Sequence, residues 1–495
     1  MGTISSAFSI ISGALDADQS GLSIIAGNVA NANTPGYTRE VPNFRENPPV
    51  VINGVSYGAG VSETGATSLR DRVLLQRLDQ QQQLASASAA RLDALNNVQA
   101  LFTPASGSSA SAAGNIGSDI SNFFNSFSSL EANPTDNALR QQVLSRASTL
   151  AADISGTATA LGQQQAALDQ QAAAVITQVN ALTRAIADLN QQIQSLTTGA
   201  DAGTLEDQRQ LDLSKLSQLI GINQIATENN GLTVTATSGE TLLSHGVAHA
   251  ITAGMVGGST HFFLGGNDIT ASLTRGGGQL GGTLTARDQD IPNLLGSLDQ
   301  LAFAITTEVN AQSQKGVDLN GNPGVALFQQ PAPIAGKPVD YGSAVRMSVA
   351  IASPNLVAAG AVGQGSGDNS NAIDLANLGT LANPSVLNGL VLPDGTVLAP
   401  GQTLLNGQTP SNHYSGLVTS LGSLVAQVQT EETAHSASVT QLQTQNNALS
   451  AVNLNDEASA LTTLERSYQA ASQVFAILNS LMASALNLGS PSTVA

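Results

Sequence analysis

Cysteine and tryptophan are absent from the 495 residues. The missing thiols exclude disulfides, thiolate metal sites, iron–sulfur clusters and cysteine nucleophiles together. Aromatic residues make up 3% of the chain and charged residues 11%. Bulky core anchors are therefore few, and small or uncharged polar side chains let helices approach closely. Cations are scarcer still: 17 Lys and Arg face 35 Asp and Glu, for a formal net charge of −18. Phosphate backbones are bound by clustered Lys and Arg that displace counterions, so nucleic acid is excluded as an expected partner. No apolar run approaches the ~18 residues of a membrane span. No membrane partner is expected. No Lys or Arg precedes Arg39, so the start lacks the charged region of a cleaved secretory signal. The expectation is a chain that stays inside the cell or leaves without such a signal.

What is present is helical rhythm. Ile4, Phe8, Ile11, Leu15, Leu22, Ile25 and Val29 fall on alternating four- and three-residue steps, with Asp18 at the one missing step. The far end repeats this through Leu461, Leu464, Tyr468, Ala471, Phe475, Leu478, Met482 and Ala485. Each is a coiled-coil seam. The apolar surface of two such short seams falls short of the backbone entropy lost on ordering them. The ends are therefore expected to pair with each other, to be mobile in an isolated molecule, and to be ordered by contacts with neighbouring molecules. Asp18 and Arg466, on or near the seams, would set register or be solvated.

NVANANTPGYTRE, from Asn28 to Glu40, stops the first helix: Asn suits a helix end, Pro35 pushes Thr34 out of helix, and Pro35-Gly36 suits a type II turn. Val51 to Gly65 then reads as extended with an Asn-Gly turn. A helix is expected over Leu74 to Phe102, a loop near 104–118, and one long rod through Leu144 to Leu196, capped by Thr135 or Asp136 and stopped near Gly199. The helices Leu74–Phe102 and Tyr414–Val452 are its expected partners. A shorter helix, Thr204 to Ile220, opens on a capping-box-like Thr204/Asp207 pair. Residues 222–286 switch to a two-residue period, read as antiparallel strands. A helix resumes near Pro292, residues 316–411 read as loops and short strands, and helix returns from Tyr414.

The fold class expected is mainly α with β insertions, an α+β multidomain chain that goes out and comes back. Residues 1–35 with 456–495 would pair as a terminal coiled coil. Residues 36–221 with 287–315 and 412–455 would form an elongated helical bundle, 222–286 a small β region, and 316–411 a loop- and β-rich outer domain.

Signatures of chemistry are weak. His245 and His249 stand at helical zinc spacing, but Gly246 disfavours helix and the glutamate of HExxH is missing. Asp318, Asn320 and Asn322 open like a calcium loop, yet its twelfth position is Gln329. GGGQLGG, Gly276 to Gly282, lacks the Lys-Ser/Thr of a phosphate loop and reads as a turn. No GxSxG elbow occurs. No catalytic, cofactor or metal residue is assigned.

NVANANTPGYTRE, with its turn residues Asn31, Asn33, Thr34, Pro35, Gly36 and Tyr37, resembles the N-terminal signature of flagellar rod, hook and hook-associated proteins. Asn453 to Leu488 resembles their C-terminal signature. ANPTDNALRQQVLSRA (Ala132 to Ala147), Leu205 to Ile222, Gly277 to Gly324 and GDNSNAIDLANL (Gly367 to Leu378) resemble the hook-associated protein 1 family. This resemblance covers most of the chain and is weakest around 225–275 and 380–410. It implies a structural subunit of the hook–filament junction, exported through the flagellar type III pathway to the outside of the cell without signal cleavage. The implied partners are its own copies, hook protein, a second hook–filament junction protein and an export chaperone. The rivals are hook protein, disfavoured by the long Gln/Ala-rich rod, and flagellin, disfavoured by the Asn-Thr-Pro-Gly-Tyr signature. A rival of another class is an axial protein with a metal-dependent enzymatic insert.

Overall fold

The computed structural model describes residues 2–487 apart from 53, 103–115, 197–201, 229 and 366. The expected stop at Gly199, most of the expected loop near 104–118, and the side chains of Ile4 and Ala485 lie outside the described set.

The first helix, α1 (Gly2–Asn31), runs along the seam and ends at the predicted punctuation. Tyr37 N donates to Thr34 O at 3.2 Å and Gly36 sits at φ +82°, the type II turn that Pro35-Gly36 was expected to make. Four strands follow: β1 (Glu40–Glu46), β2 (Val50–Ile52), β3 (Val55–Tyr57) and β4 (Val61–Ser68). β1 pairs with β4, and β2 with β3 as a separate two-stranded hairpin. The β1–β4 pair lies against α1, so the chain that follows the signature turn packs on the terminal helices.

The body is organised around α4 (Asn137–Gln194), a 58-residue rod whose N-terminus is capped by Asp136, its carboxylate accepting from the amides of Ala138 and Leu139. Two cores form along it. The first takes Val143 to Leu168 of α4 with α3 (Ile116–Ala132), the end of α2 (Arg72–Ala100), α8 (Ile291–Ser313) and the start of α10 (Pro410–Ser450). The second takes Ala172 to Ala187 with α5 (Thr204–Leu219), α6 (Thr270–Gly276), α7 (Gly278–Thr285) and a small β region. That region is a four-stranded antiparallel sheet, β5 (Ile222–Ala226), β6 (Leu232–Ala236), β7 (Thr241–Ser244) and β8 (Val247–Ala248). Beside it is a three-stranded one, β9 (Ile251–Val256), β10 (Ser259–Leu264) and β11 (Asn267–Asp268).

Several expectations need correction. The rod does not have α2 and α10 as its main partners. Those two pack along each other, while α4 meets α3, α5, α7 and α8. One reason is α3: Phe123, Phe124 and Phe127 are buried on it, with Phe123 and Phe328 rings 5.5 Å apart. These aromatics cover the Val143–Leu168 part of α4 in the first core, and α5 and α7 cover the part beyond it. Residues 270–276 and 278–285 are helical, not strands, and the expected turn of GGGQLGG is confined to the break at Gly277 and Gly278, with φ +89° and +69°. A Cβ on Gly282 would lie 2.0 Å from the Ala87 carbonyl oxygen, so the glycines let α7 press onto α2. A π-helical turn, Ala286–Asp290, then leads into α8.

Among the described residues, 316–411 form no separate core and no sheet beyond one two-stranded pair. They hold the two-residue strands β12 (Gly316–Val317) and β13 (Gly360–Ala361), the short helix α9 (Ser370–Asn377), and turns. Leu327, Phe328, Leu375, Leu387 and Leu405 join the first core. Buried Arg140 of α4 anchors the region by donating to the carbonyls of Pro134 and Val357. Frequent turns interrupt any ladder, so the segment lies as a coat over the shaft. The last helix, α11 (Leu454–Asn487), returns beside α1.

Candidate assembly surface

The signature turn is a clasp. Asn28, 1% exposed near the end of α1, donates through Nδ2 to the Glu40 carbonyl at 2.8 Å and to Glu457 Oε2 at 3.1 Å. Its Oδ1 accepts from the Tyr37 hydroxyl at 2.9 Å and the Glu40 amide at 3.0 Å. Glu457, also 1% exposed, takes Arg39 Nε on its other oxygen at 2.5 Å. One asparagine and one carboxylate thus fix the end of α1, the chain leaving it and the start of α11. Burial first, then the nearby carboxylates of Glu40, Asp207 and Glu457, push the Tyr37 phenol up to about 12. It remains a donor.

Thr38 carries the clasp into the body. Its amide donates to Asp207 Oδ2 at 2.8 Å and its hydroxyl to Asp207 Oδ1 at 2.6 Å. Arg70 bridges Asp207 and Glu206, and Glu206 also takes Arg72. The expected capping box at Thr204 and Asp207 is therefore not formed: Gly203 holds the cap position without a side-chain bond, and Asp207 is engaged by Thr38 and Arg70. The Arg39 amide donates to the Ser450 carbonyl at the end of α10, at 2.9 Å. Every element entering or leaving the terminal pair is tied at this point.

Beyond the clasp the terminal pair is thinly packed. Among the described residues, none of α1 or α11 belongs to either core. Of the first seam, Ile25 is buried, Phe8, Ile11, Leu15 and Leu22 are half-buried, and Val29 is 45% exposed. Of the second, Leu461, Leu464, Ala471, Phe475, Leu478 and Met482 are half-buried, and Tyr468 is 38% exposed. The Phe8 and Phe475 rings lie 4.5 Å apart, and Leu464 presses on Gly21. The seams therefore meet each other within one chain. That matches the expected pairing of the two chain ends, and the half-exposed seam positions leave surface beyond it. Asp18 is buried with Oδ2 unpartnered among the described residues, and Arg466 is exposed.

A second stripe on α11 was not foreseen. Val474, Ile477 and Leu481 are 42%, 58% and 53% exposed. At 3.6 residues per turn they lie about 100° round the helix from the seam positions. Their three-four spacing was the available signal. It was masked by the adjacent seam.

Elsewhere, His245 has φ +50° in the β7–β8 turn, so it and His249 do not share a helical face. The Asp318 carboxylate accepts from the amides of Asn320 and Asn322, both at 2.8 Å, and from the Asn322 side chain. Its own loop fills it. Inside the shaft, burial and then the hydrogen-bonded neighbour Asp119 push Asp153 up to about 7, and burial raises Glu308 to about 8.

Comparison with known proteins places this architecture. The sequence profile of the flagellar hook-associated protein FlgK helical domain matches residues 107–328, and that of flagella basal body rod proteins matches residues 10–38. Flagellar hook-associated protein 1 of Salmonella typhimurium is 27% identical over 330 residues, 65% of this chain and 58% of that protein. The match thus spans less than two thirds of that relative. The Bacillus subtilis protein of the same name is 24% identical over 96% of both chains. The structure of the flagellar hook junction protein FlgK from Burkholderia pseudomallei superimposes with a TM-score of 0.61 at 18% identity, covering 75% of this chain and 99% of that one. That likeness is one of fold.

Proposed function

We propose that this chain is a member of the flagellar hook-associated protein 1 family and a structural subunit of the flagellum that polymerises at the hook–filament junction and adapts hook to filament. The observation that carries this reading is the division of labour in the molecule. A well-packed body has its own two cores, while a thinly packed terminal pair, clasped to it by the signature turn, keeps an apolar stripe bare. Bare apolar surface of that kind marks a place for other protein. Its neighbours are copies of itself, hook protein on one side and a second junction protein on the other, with an export chaperone beforehand. Its place is outside the cell, reached by the flagellar type III route without signal cleavage. It is not an enzyme: the polar clusters described above join one element to another.

The test is complementation. Expressed in a swimming bacterium that lacks its own hook–filament junction protein, the chain restores filaments. A version without residues 1–33 does not, yet purifies as a folded body that keeps most of its helix. Filaments from the shortened chain would refute the reading. So would stoichiometric zinc together with a hydrolytic activity lost on changing His245.

A further inference from the structure

The two cores of the shaft do not merge, although Leu168 closes the first along α4 and Ala172, one turn on, opens the second. Charge lies between them. Arg91 directly precedes Leu92, the first residue of α2 in the first core, and Asp169 directly follows Leu168. The π-helical turn brings the rest. Arg287 Nη1 donates to Asp169 Oδ1 at 2.6 Å and to the Thr260 carbonyl of β10 at 3.0 Å, while its Nε and Nη2 close on Asp288 at 2.7 and 3.0 Å. Thr260 Oγ1 donates to the other Asp169 oxygen at 2.6 Å. Asp290 takes Arg91 on both oxygens, at 2.8 and 2.9 Å, and Gln165 Nε2 donates to the Arg287 carbonyl at 2.9 Å. The side chains of Arg287 and Asp290 are 3% and 6% exposed, so this layer crosses the interior of the shaft.

Shared apolar contact would bind the two halves into one unit, whereas the attraction between buried ions is largely offset by the water they give up. The halves are therefore held by charge pairs and by the backbone of α4. The second core is also one uninterrupted stretch of chain: all its residues fall between Ala172 and Leu284, and among the described residues none comes from α2. It can leave without unthreading anything else. We infer that the charged layer is a breakaway joint, at which residues 172–284 open as one cooperative lobe beyond Asp169 while the first core stays shut. The lobe opens first because its core is the smaller. Asp207 of α5, which holds Thr38, lies in that lobe, so its opening also releases one anchor of the terminal pair.

Native-state hydrogen exchange on the full chain, in urea below the unfolding transition, tests the joint in the monomer. Amides of α5 and β6 are expected to share one level of protection, below that of α8. Leu301→Ala, in the first core, should cut α8 protection about thirtyfold or more and leave α5 and β6 unchanged, since Leu301 stays packed when the lobe opens. Arg287→Met should instead lower α5, β6 and α8 by one common factor, about a hundredfold, because every opening of either half breaks the layer. Equal losses in all three elements on Leu301→Ala would show a single cooperative unit and overturn the inference. So would a loss confined to α8 on Arg287→Met. If Leu301→Ala does not fold, Leu301→Val makes the same comparison with an α8 loss of about fivefold.

Discussion

Replacing Asn28 by alanine removes four hydrogen bonds from one enclosed point. Glu457 keeps Arg39 but loses its amide donor, and the Glu40 amide and carbonyl and the Tyr37 hydroxyl each lose their bond to Asn28. Each buried polar group left unpaired costs about 1–3 kcal/mol. Half-buried Tyr37 and Glu40 recover part of this from water, leaving about 2–4 kcal/mol for the clasp. None of these groups belongs to either core of the body, so the loss should open the base of the terminal pair and leave the shaft alone. Hydrogen exchange resolves this: protection of amides 27–31 should fall roughly 30- to 1,000-fold, or to none where less was present. Amides of α4 should be unaffected. An unchanged end of α1, or equal loss in α4, would refute the claim that this cluster holds the terminal pair to the body.

Gly282→Ala sets a Cβ against the Ala87 carbonyl and should cost about 1–3 kcal/mol in urea unfolding, whereas Gly296→Ala in α8, with open space around it, should be neutral or slightly stabilising. Asp153 and Glu308 titrate in the folded chain at about 7 and about 8, above ordinary carboxylates. Folding therefore takes up protons, and stability declines as pH rises from about 4 toward about 8, then levels off. Calorimetry should show this decline, shallower in Asp153→Asn; an unchanged profile in the variant would contradict the assignment. Ile477→Asp should block incorporation while sparing the monomer. Leu478→Asp should also lower exchange protection of α1, which Leu478 faces, and identical behaviour of the two would deny that α11 has distinct faces.

The sequence made the long helices legible because their three-four rhythm and caps are local properties: Asp136 caps α4 where expected, and α1 stops at its asparagines. It was less informative where distant residues decide. The Phe-rich α3 stayed hidden beside a Ser/Gly/Ala-rich stretch, and with it the true partner of the rod. The Gly-rich α7 looks like turn material until Ala87 is seen against Gly282. The signature turn was recognised, but its mechanism depended on Glu457 and Asp207, 429 and 169 residues away from their partners Asn28 and Thr38. No spacing rule reaches that far. The seams were legible as helix faces, and the chain's return path brings the two faces together.

Amide exchange over residues 5–16 and 468–484, compared between dilute monomer and assembled junctions, tests the central claim most directly. The account requires fast exchange in the monomer, because this stretch of the pair is only half-buried, and strong protection once neighbours cover the bare stripe. Full protection already present in the monomer would contradict it.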